Sequence, residues 1–260
     1  MLLHEYLENG ADKNPNFPFS EFEGNSLSYQ EANLLSNQLA NKLVSEGLEV
    51  GDRFAFLAKN CTEMAIMYYA ASKVGAVPVP LNYRLADQEW AYIINDSEAK
   101  LIIVKGNEYS DRINQISSEL KNVKKYISIS LDNSIEKFQD FYDWLSDSSN
   151  EKPTLKIHEN DDVYQMYTSG TTGHPKGAVL LQRNVAANIR QYLNSLTLPR
   201  PSRTLLVAPM YHAAAMINMC GCIAIGGTIV IQEDFIPQDV VDCLANEKIT
   251  HTVLVPAMIQ

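Results

Sequence analysis

Strand-like and helix-like segments alternate along almost the whole chain, and this alternation limits the fold more than any single residue does. Residues 53–58 read as a strand, Thr62–Val74 as a helix that stops at Gly75, and Trp90, Ile93 and Ile94 mark another short helix. Residues 101–104 and 126–129 are β-rich, with a helix-like run over 109–120 between them. Upstream, Ser28-Tyr-Gln-Glu31 has the form of a capping box, and Ala32, Leu35, Leu39 and Leu43 then recur at helical spacing until Gly47. Residues 143–162 break the pattern, being rich in Ser, Asp, Asn, Glu and Lys around Pro153. They read as a surface connection and as the one good candidate for a lobe boundary. Beyond them strands are expected over 163–167, 178–181, 203–208, Thr228–Ile231 and 251–255. Helices are expected over 184–196 and over Pro237–Asn246, where proline opens the helix. Strand, helix, strand in succession implies right-handed β-α-β units and a parallel sheet. The expected class is α/β, two lobes of mostly parallel sheet flanked by helices.

Residues 204–232 contain no Asp, Glu, Lys or Arg, a run long enough to span a bilayer. Pro209, His212, Asn218, Gly221, Gly226 and Gly227 interrupt it, and its two ends are strand-like. It therefore reads as strand, helix and strand in a protein interior, with no transmembrane span. The 260 residues are 46% hydrophobic and 20% charged, which excludes a disordered chain and allows a sizeable core. Net charge is −10, and the densest basic group, Lys121, Lys124 and Lys125, is too small for a nucleic-acid footprint. One small phosphorylated ligand in a local pocket stays compatible with that charge. Of the four cysteines, Cys220 and Cys222 lack the second half of a zinc site, so all four read as buried reduced thiols. The first residues carry acids early and no apolar secretory core, so a cytoplasmic location is expected.

The chemistry concentrates in Tyr167-Thr-Ser-Gly-Thr-Thr-Gly-His-Pro-Lys-Gly177. Three of the chain's 12 glycines, Gly170, Gly173 and Gly177, fall there, and glycine lets a backbone turn sharply and approach a ligand closely. Thr168, Ser169, Thr171 and Thr172 add hydroxyls and Lys176 a mobile cation. Backbone N–H groups, hydroxyls and an ammonium are what a polyphosphate needs, because its oxygens are dense acceptors and its charge must be offset. The common ATP loop requires Gly, four residues, then Gly-Lys-Ser/Thr, whereas here Lys176 follows Pro175 and precedes Gly177. Gly-Thr-Thr-Gly alone would fit a plain polar hairpin between two strands; the full string is far more specific.

That string resembles the phosphate loop of the AMP-forming adenylating enzymes, which include acyl-CoA synthetases, aryl-CoA ligases, luciferases and peptide-synthetase adenylation domains. Leu27-Ser-Tyr-Gln-Glu31, Lys73-Val-Gly-Ala-Val-Pro-Val-Pro-Leu-Asn82, Gly226-Gly-Thr-Ile-Val230 and Thr250-His-Thr-Val-Leu-Val-Pro256 resemble other family segments in order. Pro209-Met-Tyr-His212 is similar to the acyl- and aryl-CoA ligase branch. The resemblance implies an incomplete N-terminal domain over residues 1–260, with one lobe at about 49–193, the other at 1–48 plus 194–260, and the C-terminal domain absent. It implies a carboxylic acid–CoA ligase working through an acyl-adenylate, with ATP, Mg²⁺ and CoA as co-substrate and a fatty acid as the leading class of small carboxylic acid; the alternative is an aryl-acid–CoA ligase or an acyl-AMP ligase. Thr168, Ser169, Gly170, Thr171, Thr172, Gly173 and Lys176 would cradle the β- and γ-phosphates, with Thr168 near Mg²⁺. Lys176 and His212 are the implied catalytic residues, His212 lining the path between acyl pocket and adenylate; its alternative is a plain core histidine. Met210, Met216 and Met219 read as core packing or, less simply, as a flexible pocket wall.

The family's Y-G-x-T-E and T-G-D segments, which would contact adenine, Mg²⁺ and ribose, have no counterpart. The chain also stops at Pro256-Ala-Met-Ile-Gln260, just after a β-run. It therefore reads as roughly the first half of a ligase. Alone it is expected to be inactive or to serve as a binding or assembly module, with apolar surface near 253–259 open to self-association.

Overall fold

The computed structural model describes residues 1–129, 135–168 and 173–260. The chain begins α1 (Leu3–Lys13), β1 (Pro18–Phe22), β2 (Asn25–Ser28), α2 (Tyr29–Ser45), β3 (Arg53–Leu57), α3 (Thr62–Val74) and β4 (Val77–Leu81). There follow α4 (Asp87–Asp96), β5 (Leu101–Lys105), α5 (Asn107–Ile116), a short 3₁₀ turn, β6 (Lys125–Ile129), β7 (Gln139–Asp140) and α6 (Phe141–Leu145). The remainder is β8 (Asp162–Thr168), β9 (Lys176–Leu181), α7 (Gln182–Ser195), β10 (Arg203–Leu206), α8 (Ala213–Ala224), β11 (Thr228–Ile231), α9 (Pro237–Asn246), β12 (His251–Thr252) and α10 (Pro256–Ile259). The α/β reading holds: parallel sheets are flanked by helices.

Two compact units form. The first comprises Met1–Ser36, Lys59–Tyr69 and Gln182–Gln260; the second comprises Asn37–Ala58 and Ala70–Leu181. These limits differ from the expected 49–193 and 1–48 plus 194–260 at residues 37–48, 59–69 and 182–193. Helix α7 joins the first unit because it packs on α1 and α8, and the Gln182 side chain accepts from the Leu3 N–H at 3.0 Å.

The first unit's sheet runs β12-β10-β11-β1-β2, parallel except for the antiparallel β1–β2 pair. The charge-free stretch is β10, α8 and β11, as expected, and Met210, Met216 and Met219 are buried core. Among the described residues, no helix is long and apolar enough to cross a membrane. The expected capping box at the start of α2 forms: Ser28 N–H donates to Glu31 Oε2 at 2.8 Å and Glu31 N–H to Ser28 Oγ at 3.2 Å. The strand expected over 251–255 is cut to two residues, because only Thr204 and Leu205 of β10 pair with His251 and Thr252. Cys61, Cys220 and Cys222 are buried free thiols, and burial pushes Cys220 and Cys222 up to about 12. Cys243 is instead half-buried, a correction to the uniform reading, because α9 buries Val240 and leaves Val241 and Leu244 facing water.

The second unit's five-stranded sheet runs β4-β3-β5-β6-β7, parallel throughout. Edge strand β4 contains Pro78 and Pro80, which remove alternate ladder donors. In a parallel strand, alternate residues present their N–H and C=O to one side, and Val77 N–H donates to Asp52 O at 2.8 Å on the β3 side. The prolines therefore fall on the side that β3 does not use. Leu57, Val79, Trp90, Ile94, Ile102, Val104 and Ile113 form the core, sealed between the sheet and helices α4 and α5. The antiparallel hairpin β8–β9 lies beside β4.

The segment 143–162 is not a lobe boundary; residues 143–161 lie inside the second unit. Its first residues finish α6, which Asp140 caps through the Tyr142 and Asp143 N–H groups at 2.9 and 3.1 Å. Its carbonyls are then held by α2: Asn37 donates to Asn150 O, Gln38 to Leu145 O, and Asn41 to both Ser149 O and Glu151 O. Linker-like composition is here a tied-down strap, since side-chain amides replace the ladder partners that such a segment lacks.

Candidate functional site

The hairpin β8–β9 carries the chemistry-bearing turn. Val163, Tyr164, Gln165 and Met166 of β8 are buried, which anchors the strand, and exposure then rises through Tyr167 to Thr168. In β9 Lys176, Ala178 and Val179 are exposed and the other three residues half-buried. Thr168 and Lys176 are register partners, the last described pair before the turn. One strand thus delivers a hydroxyl and the other an ammonium to the same rung, where both are exposed. Among the described residues Lys176 makes no ion pair, so its charge is not spent on a carboxylate.

Ser169, Gly170, Thr171 and Thr172, four of the expected phosphate ligands, lie outside the described residues. Gly173 has φ +112°, a conformation side chains rarely adopt, with open space where a Cβ would stand. Gly177 is needed for a different reason. A Cβ there would stand 2.3 Å from Gln165 Nε2 and 2.9 Å from Tyr167 Cζ, so only glycine lets these side chains pass across β9.

Those two side chains belong to a polar chain beneath the turn. Arg53 Nε donates to Gln165 Oε1 at 3.2 Å, Gln165 Nε2 donates to the Tyr167 hydroxyl at 3.0 Å, and that hydroxyl donates to Asp96 Oδ2 at 2.6 Å. Arg53 is itself paired with Asp162 at 3.1 Å. Burial, and then the bond to Asp96, push the Tyr167 phenol well above its ordinary value, so it stays a donor at any physiological pH. On the other side of the turn, the His174 ring stacks on Tyr92 with centroids 4.7 Å apart and planes 20° apart.

His212 stands in the first unit as the N-cap residue of α8, at φ −93° and ψ 139°, and is exposed. Its exposure removes the alternative of a plain core histidine. Its segment is braced by Asn60, which is buried. Met210 N–H donates to Asn60 Oδ1 at 2.7 Å, while Asn60 Nδ2 donates to Ala208 O and Gln232 O, both at 3.1 Å. Asn60 thereby ties the ends of β10 and β11 to the Pro-Met-Tyr-His turn. No group of three or more His, Cys, Asp or Glu able to hold a metal occurs among the described residues.

The sequence alone gave no role to Arg53, Asn60, Tyr92, Asp96, Gln165, Tyr167 or His174. One legible signal was the spacing of Tyr92 and Asp96, four residues apart on one helix face. Asn60 carried no such signal.

The chain is 30% identical over 235 residues to the long-chain-fatty-acid–CoA ligase FadD13 of Mycobacterium tuberculosis, covering 90% of this chain and 45% of that protein. It is 30% identical over 238 residues to a feruloyl-CoA synthase of Amycolatopsis sp., covering 91% and 45%. The solved N-terminal domain of FACL13 from M. tuberculosis superposes with a TM-score of 0.90 at 27% identity, covering 99% of this chain and 64% of that one. The chain spans about half the length of the curated relatives it matches. Residues 7–260 match the model of the family described as AMP-binding enzyme, and with the hairpin, its Thr168–Lys176 rung and the two α/β units in place, the chain belongs to that family.

Proposed function

We propose that this chain is the phosphate-gripping N-terminal part of an ATP-dependent carboxylic acid–CoA ligase. In this reading the carboxylate oxygen attacks the α-phosphorus of ATP, the bond to the bridging oxygen breaks, and pyrophosphate leaves. The resulting acyl-adenylate is opened by a thiol, which forms the thioester and releases AMP. The observation that carries it is the Thr168–Lys176 rung: an exposed hydroxyl and an exposed ammonium at the mouth of a glycine- and hydroxyl-rich turn. Two anions must be brought together in the first step, so fixed donors and a cation there lower its barrier.

Ser169, Thr171, Thr172 and the turn's N–H groups complete the cradle for the β- and γ-phosphates in this assignment. A Ser/Thr hydroxyl beside a phosphate loop can supply one oxygen to Mg²⁺, with phosphates and waters supplying others, and the exposed Thr168 hydroxyl at the rung would be that ligand. When bound with the nucleotide, the ion offsets phosphate charge. His212, at the open N-cap of α8, is assigned to the wall between acid and adenylate. Fatty acid is the leading substrate class, in keeping with FadD13, and aryl acid the alternative, in keeping with the feruloyl-CoA synthase.

The test is acid-dependent ATP–pyrophosphate exchange by the intact ligase, run over a panel of fatty and aryl acids. Lys176→Ala is expected to depress exchange at least about tenfold; unchanged exchange removes Lys176 from the mechanism. The 260-residue chain alone is assigned no catalytic activity, and calorimetry with ATP–Mg²⁺ is expected to find weak or no binding. Submillimolar affinity would contradict that. Exposed Val255 and Ile259 support self-association near 253–259, which a monomer in concentrated sedimentation runs would refute.

A further inference from the structure

We propose that one face of α4 positions the phosphate turn from both sides, with Asp96 holding the entering strand and Tyr92 the departing one. This inference rests on the reading of the turn as a nucleotide site. Tyr167 immediately precedes Thr168, and its hydroxyl is bound to Asp96 at 2.6 Å. His174 lies two residues before Lys176, and its ring is stacked on Tyr92. Tyr92 and Asp96 are four residues apart in α4, so they stand one above the other on a single face. Desolvation, and after it the Asp96 carboxylate, raise the Tyr92 phenol. The rings of Tyr92 and Tyr167 in turn pack against the buried core that includes Trp90 and Ile94 of the same helix.

The flanks of a turn meant to wrap a flexible triphosphate are therefore referred to one rigid, core-anchored element. Holding the donors in place before the nucleotide arrives lowers the ordering cost at binding. Neither Tyr92 nor Asp96 touches the reacting atoms in this assignment; they act through Tyr167 and His174 and are positioning residues. The footprint of such a role is a rise in KM for ATP without a matching rise in KM for the acid.

The experiment has two arms. In the 260-residue chain, amide hydrogen exchange of residues 173–181 is measured for wild type, Tyr92→Ala, Tyr92→Phe and Asp96→Ala. The two alanine variants are expected to exchange about three- to tenfold faster, and Tyr92→Phe, which keeps the stack, within about twofold of wild type. In the intact ligase, pyrophosphate exchange is expected to show KM for ATP raised about three- to tenfold by each alanine variant, the acid KM unchanged, and Tyr92→Phe restored. If Lys176→Ala depresses exchange while the α4 variants leave KM for ATP and hydrogen exchange unaltered, the positioning role is overturned and the nucleotide reading stands. If Lys176→Ala has no effect, the nucleotide reading falls and takes this role with it.

Discussion

Within the second unit, the five-stranded parallel sheet and the β8–β9 hairpin solve opposite problems. Strand β3 is buried over Phe54–Leu57, and β4 is buried along its whole length. β8 is buried only up to Met166, and β9 is largely open. The sheet is held by apolar packing on two faces, so its side chains are spent on stability. The hairpin is held by one strand, a polar chain from Arg53 to Asp96 and one aromatic stack, which leaves the Thr168–Lys176 rung free to meet a ligand. Structural and chemical duties are thus divided between neighbouring elements rather than shared within one.

The sharpest test of that division is a large-to-small change in the sheet. Phe56→Ala, at a fully buried position in β3, is expected to cost about 3–5 kcal/mol in urea unfolding. Next, Gly177→Ala is expected to destabilise the chain by about 1–3 kcal/mol, because its Cβ must displace Gln165 and Tyr167. A neutral result there would show that the polar chain under the turn is looser than its distances imply. Lys176→Ala then separates duty from stability. Its unfolding midpoint should move by no more than about 0.5 kcal/mol, while pyrophosphate exchange by the intact ligase falls at least about tenfold.

The smallest effect expected is a pH-dependent one at the start of the sheet. Burial raises the Asp52 pKa, but the Lys100 ammonium at 2.6 Å and the Glu49 N–H at 2.7 Å outweigh it and hold the carboxyl below its ordinary value. A depressed folded-state value means that the stabilisation is present above the unfolded pKa and lost as pH falls through the folded one. Asp52→Asn should therefore cost under about 1 kcal/mol at neutral pH, and the gap to wild type should close in acid. A gap that persists at low pH would assign the contribution to packing instead of charge.

Much of the secondary structure was readable from local pattern. Thr62–Val74 and Thr228–Ile231 fall where residue spacing puts them, and the Ser28–Glu31 box forms because its partners are three residues apart. Strand β4 was hidden by Pro78 and Pro80, whose tolerance depends on an edge position that no local window reveals. The strap 146–161 looked like a linker because its partners, Asn37, Gln38 and Asn41, are more than a hundred residues away in sequence.

The sequence by itself determined the alternation that makes an α/β fold and the glycine, hydroxyl and lysine content of the turn, since both are set by neighbours along the chain. Only the tertiary structure decided that α4 braces that turn. Tyr167 and Asp96 are 71 residues apart, and only the packing of α4 and β8 on a common core brings hydroxyl and carboxylate to hydrogen-bonding distance.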